Sequence, residues 1–401
     1  MGNSQGWIDR GMAHVAKTYG RYPLVAVSGE GCWLTDIDGK KYLDFLAGVA
    51  VNNLGHCHPD IVAALQDQAG RLLHCSNFYH IPQQIELAEL LCKNSFGDRV
   101  FFCNSGAEAN EAALKLARKY SLDNHSDDRF EIITAENSFH GRTIATISAT
   151  NQKKICNGFG PLLSGFKYVP FGDIEAIKAN INSKTCAIML EPIQGEGGIN
   201  IPPAGYLQAV RELCDQNGLL LIFDEVQVGL GRTGKLFAYQ HDGVEPDVMT
   251  LAKALAAGPP IGAMVVREKY AAALGSGTHG STFGGNPLLA AAGVAAMKVF
   301  LDGEVLENSI AMGAYLLAKL DQLQTEYTFI AQVRGRGLMI GVELTIEGSE
   351  IVKTALDRGL LINCTAGKIL RFVPPLIVTR KEIDQMIEIL DKIFSEIETG
   401  E

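Results

Sequence analysis

The sequence predicts an α/β protein. It has a large domain on a mostly parallel central sheet and a smaller α+β domain from the C-terminal third. Three observations carry this reading. Between about residues 60 and 270, short continuously apolar runs alternate with segments of helical period. Strands covered on both faces read this way. After about residue 285 the alternation stops, and a long helical stretch leads into hairpin-like runs. With 401 residues, the chain is long enough for two or three units, or for one large domain with attachments. The expected division is 1–55 for an N-terminal segment with a β-hairpin, 56–285 for the large domain and 286–401 for the small one.

Along the chain, "GCWLTDIDGKKYLDFLAG" alternates around the turn signal "DIDG" and reads as a β-hairpin. "HPDIVAALQDQAGRLL" and "EANEAALKLARKY" have helical period. "RVFFC", "FEIITA", "TCAIMLE", "GLLLIFDE", "DVMTLA" and "IGAMVV" are the central strands, read as parallel. "GGNPLLAAAGVAAMKVF" opens the long helical stretch. "FIAQVRGRGLMIGVELT" is a hairpin turning at its glycines, and "GLLINC" and "KILRFVPP" are strands. The last helix starts near Arg380, with Thr379 and Glu382 spaced as a capping box.

Composition narrows the function. Hydrophobic residues at 47 % and charged residues at 20 % are ordinary for a packed soluble protein. A net charge of −10 argues against nucleic acid, which needs a basic face. No run approaches the roughly 20 apolar residues of a membrane span, and the N-terminus lacks the apolar core of a signal peptide. The 9 cysteines are odd in number and scattered, with no C-x-x-C pair. This is the pattern of reduced thiols in a cytoplasm.

In an open α/β sheet, ligands bind at the carboxyl ends of the strands. Four such ends are distinctive. After "RVFFC", residues Asn104, Ser105, Gly106 and Ala107 open a helix. Its free N–H groups and dipole suit an anion such as a phosphate, although a plain helix cap reads the same way. "GLLLIFDE" ends in Asp224 and Glu225. A carboxylate there can cap a loop, chelate a metal or pair with a cationic ligand atom, and no His stands nearby to complete a metal site. Lys253 of "DVMTLAKAL" is the only charge between Asp247 and Arg267. A desolvated lysine loses proton affinity, and its neutral amine is a nucleophile and Schiff-base former. The alternative is a lysine that snorkels to the surface. "AENSFHGRT" brings Phe139, a histidine and Arg142 together. Arg142 can hold a carboxylate at two points, while Phe139 alone would read as core.

Together these ends supply a phosphate cradle, a flat apolar face, a buried acid and a nucleophilic lysine. Pyridoxal 5'-phosphate needs this set. Its aldehyde takes a lysine, its ring nitrogen an acid, its ring a stacking face and its phosphate a helix N-terminus.

The sequence resembles the class III pyridoxal-phosphate aminotransferases, most closely their acetylornithine/succinylornithine branch. The resemblance runs from "YGRYPL" to "LRFVPPL" through "LGHCHP", "NSGAEANEAALKLAR", "SFHGRT", "EPIQGEGG", "FDEVQVGLGRTG", "TLAKAL" and "STFGGNP". It implies the type I fold of pyridoxal-phosphate transferases. It implies that Lys253 binds the cofactor covalently and later moves the proton. Asp224 would pair with the ring nitrogen, Val226 and Phe139 would sandwich the ring, and Gln227 would contact its phenolic oxygen. Ser105, Gly106 and Ala107 would hold the phosphate, completed by Thr282 of a second subunit, with Ser281 beside the substrate. The implied assembly is a homodimer with shared active sites. Its partners are small amino acids and 2-oxo acids, without nucleic acid, membrane or metal.

By the same resemblance, Arg371 takes the α-carboxylate of glutamate or 2-oxoglutarate, and Glu196 neutralises it when an ω-amino donor is bound. Arg142 would hold the distal carboxylate. The implied reaction is transamination between N-acetyl-L-ornithine and 2-oxoglutarate in arginine biosynthesis. Eukaryotic ornithine δ-aminotransferases carry tyrosines where an ungapped alignment puts Arg21 and Val49 here. Arg21 would repel a free ammonium and Val49 would leave room, both favouring an acylated amine. Succinylornithine, succinyldiaminopimelate, ornithine and γ-aminobutyrate remain alternative donors. One departure is "ALAAGPPIG", less glycine-rich than its relatives, where Ala254, Ala256 and Pro259 would stiffen the loop.

Two motifs compete for other roles. His56 and His58 have H-x-H spacing, which a metal could use. "RGRG" at 334–337 could contact an anion or RNA, though a tight turn explains it. A nucleotide-binding dehydrogenase is the rival enzyme class, but no G-x-G-x-x-G is present. A non-catalytic relative would be expected to lack Lys253 or Asp224.

Overall fold

The computed structural model describes residues 4–126 and 128–399. The outermost residues of the two terminal units, 1–3 and 400–401, lie outside this range. The N-terminal strands are β1 (Ala26–Glu30), β2 (Trp33–Asp36) and β3 (Lys41–Asp44). The next group is β4 (Arg99–Cys103), β5 (Glu131–Ala135), β6 (Phe166–Val169), β7 (Thr185–Leu190), β8 (Leu220–Asp224), β9 (Val248–Leu251) and β10 (Gly262–Val266). The last are β11 (Ile330–Arg336), β12 (Met339–Leu344), β13 (Leu360–Leu361), β14 (Asn363–Thr365) and β15 (Ile369–Phe372).

The central sheet has the order β4-β10-β9-β8-β7-β5-β6. Every residue of β7, β8, β9 and β10 is buried, as continuous apolar runs require. All neighbouring pairs are parallel except those of β10, which is antiparallel to both β4 and β9. This corrects the reading of "IGAMVV" as one more parallel strand. Only residues 252–261 join β9 to β10, and they contain a single 3-10 turn, Lys253–Ala256. A parallel return needs a dozen or more residues, usually with a helix. The edge strand β6 was not legible, because "FKYV" is short, carries a lysine and is half-exposed at the sheet's margin.

Helices cover the sheet as their patterns dictate. Helix Gly106–Asn124 starts on the Ser105 side-chain cap and buries Ala109, Ala112, Ala113, Leu116 and Ala117. Helix Pro287–Leu301 begins on the Asn286 cap, with proline in its first turn, and packs against helices Pro59–Ala69 and Pro82–Lys93. The helix in "HPDIVAALQDQAGRLL" stops at Gly70, short of its apolar tail.

The C-terminal part forms an antiparallel sheet, β11-β12-β15-β14, against helices Glu304–Glu326 and Arg380–Thr399. Thr379 and Glu382 do form a capping box: each backbone N–H donates to the other's side-chain oxygen, at 2.9 and 3.4 Å. "GLLINC" is not one strand. β13 pairs in parallel with β3, while β14 pairs with β15. The N-terminal hairpin is thereby joined to the C-terminal third. Arg232, wholly buried, ties these parts to the large sheet. It donates to the carbonyls of Leu338 and Pro374 and to Asn53 Oδ1. Among the described residues no helix is long and apolar enough to cross a membrane.

Gly313, inside helix Glu304–Glu326, tests this packing. Alanine normally stabilises a helix interior by about 1 kcal/mol over glycine. Here its Cβ would meet the backbone carbonyl of Gly337 and lie 2.8 Å from that residue's Cα. Gly313→Ala should therefore destabilise by roughly 1–3 kcal/mol, read as a lower urea midpoint, where an open helix position would show a rise.

Candidate active site

A cavity of about 400 Å³ opens at the carboxyl ends of the central strands. Residues following β4, β5, β7, β8 and β9 line it together, although they are far apart in sequence.

The β4 end supplies Ser105, Gly106 and Ala107. Ser105 is the helix cap, accepting from Glu108 N at 3.2 Å and donating to Glu108 Oε2 at 3.0 Å. The N–H groups of Gly106 and Ala107 have no partner among the described residues, as expected in a first helical turn. A side chain on Gly106 would collide with Val226, its Cβ lying 2.7 Å from Cγ1. Glycine is what lets the amides reach the cavity while Val226 forms its wall.

The β8 end supplies Asp224, which is 4 % exposed. Its Oδ2 accepts from Asn110 Nδ2 at 2.8 Å and lies 2.8 Å from His140 Nδ1. Its Oδ1 accepts from Val226 N at 3.0 Å. Asn110 is oriented in turn by the His140 carbonyl and by the Thr250 hydroxyl, each at 2.7 Å. A carboxylate so surrounded by donors is suited to face a cation. Glu225, next along the chain, is turned away. Its oxygens accept from Ala238 N and Tyr239 N, and burial pushes its carboxyl up to about 8.

The β9 end supplies Lys253, with a left-handed backbone at φ +44°. Its Nζ has no hydrogen bond or ion pair among the described residues. Burial, its largest influence, holds the amine below its ordinary pKa; Arg371 adds to this, while Glu196, Asp224 and Glu191 oppose it. The "AAGPP" loop that follows forms another wall, through Gly258, Pro259, Pro260 and Ile261.

The β7 end supplies two acids. Glu196 Oε1 pairs with Arg371 Nη1 at 2.5 Å and accepts from Gln227 Nε2 at 3.2 Å. Burial pushes the Glu196 carboxyl up, but the Arg371 charge and hydrogen bond outweigh it and leave it below its ordinary value. Arg371 is 1 % exposed and also donates to Asn363 Oδ1 at 3.1 Å and to Gln227 Oε1 at 3.3 Å. Glu191 lies behind, accepting weakly from Phe139 N and Gly195 N at 3.3 and 3.4 Å. Burial and then the Asp224 charge push it well above the usual carboxylate range.

The β5 end supplies Phe139 as an apolar wall. Arg142 lies 5.5 Å over its ring, exposed and with no carboxylate partner among the described residues.

The cavity therefore unites Ser105, Gly106, Ala107, Phe139, Arg142, Glu196, Asp224, Val226, Gln227 and Lys253, with Arg371 behind Glu196. Ser281 reaches its rim, accepting from Asn104 Nδ2 at 3.2 Å. Thr282 is exposed and outside it. Arg21 lines a separate cavity of about 280 Å³ with Tyr22, Leu46 and Leu360. Asn110, His140 and Glu191 also line the site but received no role from the sequence. His140 stands beside Phe139 in "SFHGRT"; Asn110 lies on a helix face that reads as core. Elsewhere, His56 bonds Asp44 and His58 caps helix Pro59–Ala69. Arg334 of "RGRG" donates to the carbonyls of Gly198 and Ile199, and Gly337 turns the β11–β12 hairpin.

This donor set fits pyridoxal phosphate. Free amides at a helix start meet an anion, an acid rich in donors meets a cationic ring nitrogen, apolar walls meet a ring, and a desolvated amine meets an aldehyde. In the cofactor-free protein, reaction of Lys253 with a pyridoxal aldehyde should rise with pH, because only the neutral amine attacks. Its half-maximum should fall below the value of about 10.4 for a free lysine, measured by absorbance; a midpoint at or above that value would contradict a desolvated amine.

Known proteins resemble this chain along nearly its whole length. The model of the class-III aminotransferase family matches residues 14–394. An acetylornithine aminotransferase of Methanocaldococcus jannaschii is 54 % identical over 395 residues, covering 98 % of this chain and 99 % of the relative. The ornithine aminotransferase of Toxoplasma gondii ME49 superposes with a TM-score of 0.96 at 37 % identity, covering 100 % and 97 % of the two chains. The acetylornithine aminotransferase of Elizabethkingia anophelis gives 0.89 at 34 %, covering 99 % and 100 %. A family match along nearly the whole chain, with relatives above half identity at full length, shows that this chain belongs to the class-III aminotransferases, which are pyridoxal-phosphate-dependent enzymes.

Proposed function

We propose that the enzyme transfers the ω-amino group of N-acetyl-L-ornithine to 2-oxoglutarate, giving N-acetylglutamate 5-semialdehyde and L-glutamate, as a step of arginine biosynthesis. The observation that carries this is the closed Arg371–Glu196 pair at the cavity edge. An enzyme that alternates two donors in one pocket must hold an extra carboxylate in one half-reaction and none in the other. A buried arginine with a partner that can leave does this, because an uncompensated buried charge is costly. The relatives named acetylornithine aminotransferase, at 54 % identity, point to the donor.

Pyridoxal phosphate, when bound, supplies the electron sink that allows loss of the proton on the donor carbon. The protein's residues do the rest. Lys253 provides the amine for the cofactor's aldehyde, then carries the proton on Nζ; low polarity around it keeps that amine neutral enough to accept one. Asp224, held by Asn110, His140 and Val226 N, keeps a proton on the ring nitrogen. Phe139 and Val226 would hold the ring between them, and Gln227 would meet its phenolic oxygen. Ser105, Gly106 and Ala107 bind the phosphate. Arg142, without a carboxylate partner among the described residues, would take the distal carboxylate.

We infer a homodimer in which Thr282 of one subunit completes the other's phosphate site, with Ser281 beside the substrate. Phe78, Tyr79 and Phe283 are 92, 67 and 59 % exposed in the single chain, and burying them would favour association. We place the enzyme in the cytoplasm, with residues 1–55, 56–285 and 286–401 as its three units. Arg21 and Val49, our candidates for favouring an acylated donor, do not line the cavity of Lys253 in the single chain.

A panel of N-acetylornithine, succinylornithine, ornithine and γ-aminobutyrate against 2-oxoglutarate tests the substrate. N-acetylornithine should give the highest kcat/KM, and comparable turnover of free ornithine would overturn the assignment. Lys253→Ala should abolish turnover of every donor. Glu196→Gln should spare the glutamate half-reaction, since Arg371 stays available, and slow the ω-amino half-reaction about tenfold or more, matching roughly 1.4 kcal/mol or above. Single-turnover absorbance separates the two halves; equal losses in both would sink the switch.

A further inference from the structure

Two pieces of the chain meet at the carboxyl end of β4. One is the start of helix Gly106–Asn124, where Ser105, Gly106 and Ala107 line the cavity. The other is the loop of residues 281–284, which carries Ser281 and the exposed Thr282. The loop lies directly on the strand, since a Cβ on Gly284 would strike the Phe102 carbonyl. Its shape is held from within the subunit. Ser281 Oγ accepts from Gly284 N at 3.0 Å, and Asn77 Nδ2 donates to the carbonyls of Ser281 and Gly284, both at 3.0 Å.

Glu108, in the first turn of the helix, connects the two pieces. Its Oε2 accepts from the Ser105 hydroxyl at 3.0 Å and from Asn104 N at 2.9 Å. Its Oε1 accepts from Asn104 Nδ2 at 2.9 Å. The same Nδ2 donates to Ser281 Oγ at 3.2 Å. A side-chain amide has two N–H groups, so it serves both acceptors at once. Hydrogen bonds thus run unbroken from Ser105 through Glu108 and Asn104 to Ser281. Helix capping alone does not account for them. In a capping box the third-position carboxylate returns to the N–H of the cap residue itself. Here the cap is Ser105, and the carboxylate reaches one residue further back, to Asn104.

The Ser105 hydroxyl has a single proton to donate, and Glu108 receives it. The oxygens of a bound phosphate also need donors. A phosphate at this helix start therefore takes the Ser105 proton from Glu108. Glu108 is then left with both oxygens on Asn104, and the amide that holds Ser281 is fixed more firmly. The proton has two discrete acceptors, so the path has two states that either end can bias.

We propose that Glu108 and Asn104 are positioning residues that couple the two phosphate sites of the dimer: phosphate bound at Ser105 of one subunit steadies the loop that presents the same subunit's Thr282 to the other site. This rests on the shared-site dimer proposed above. Coupling between binding sites is reciprocal, so each cofactor favours the other.

The experiment uses the full-length dimer, stripped of cofactor and titrated to equilibrium with pyridoxal phosphate. Cofactor absorbance reports binding, and light scattering reports the oligomeric state. The second cofactor should bind about fivefold or more tightly than the first, within the usual range for coupled sites. Glu108→Gln is nearly isosteric but has one acceptor oxygen, so it cannot serve both Ser105 and the Asn104 amide. Asn104→Ala cuts the path at its other end, and Ser105→Ala removes the shared proton. All three should bind two cofactors with equal affinity while remaining dimeric. Ser105→Thr keeps the hydroxyl and should keep the fivefold ratio, which a merely structural role for the cap would not predict. Equal affinities in the unaltered dimer, an unchanged ratio in Glu108→Gln, or a Thr variant that behaves as the Ala variant would overturn the coupling. Failure of the shared-site reading looks different: the unaltered protein would be monomeric, or Thr282→Val would leave cofactor affinity as it was.

Discussion

The structure is organised around the requirement that buried charge be compensated. Five ionisable side chains meet at the strand ends: Lys253, Asp224, Glu191, Glu196 and Arg371. None could be held there alone, since an isolated buried ion costs far more than a domain's net stability margin. Each is tolerated because of a different compensation. Asp224 has three donors, Glu196 and Arg371 have each other, burial and the Asp224 charge raise the Glu191 carboxyl, and Lys253 loses proton affinity. These compensations are the ones the proposed reaction would use: a fixed acid, an ion pair able to open and a neutral amine.

That arrangement depends on an irregular sheet. The turn at Lys253–Ala256 is too short for a crossover, so β10 runs backwards beside β9. The reversal brings Gly262 against Ser105, where any larger residue would strike the Ser105 carbonyl. The lysine, the proline loop and the start of helix Gly106–Asn124 are thereby drawn around one cavity. The loop richer in alanine and proline is one of its walls.

The parts far from the cofactor cavity serve the same centre. Arg232 gathers the carbonyls of two C-terminal loops and the Asn53 side chain. β13 joins the N-terminal hairpin to the C-terminal third, and Arg371 enters the site from β15 of that third. Asp44 and His56 brace the left-handed turn Ala47–Ala50, next to Val51 of the cavity lining. The site is thus assembled from residues that lie far apart along the chain.

Much was legible in the sequence. Apolar runs of strand length between helical periods defined the class, and six of the seven central strands were readable because burial on both faces leaves an unambiguous composition. Lys253 stood out as a charge with no reason to be in an apolar stretch, and the motifs around it named the family. Other features were decided only in three dimensions. β6 is an edge strand whose exposed face erased the pattern. The direction of β10 follows from loop length, not from its own residues. "GLLINC" divides because its halves find different neighbours. Asn110 reads as helix core until Asp224, 114 residues away, accepts its hydrogen bond. The sequence by itself determined which side chains could do chemistry, because residue type and local polarity are local properties. The tertiary structure alone decided which of them meet, because pairing of buried polar groups is settled between segments that only folding brings together.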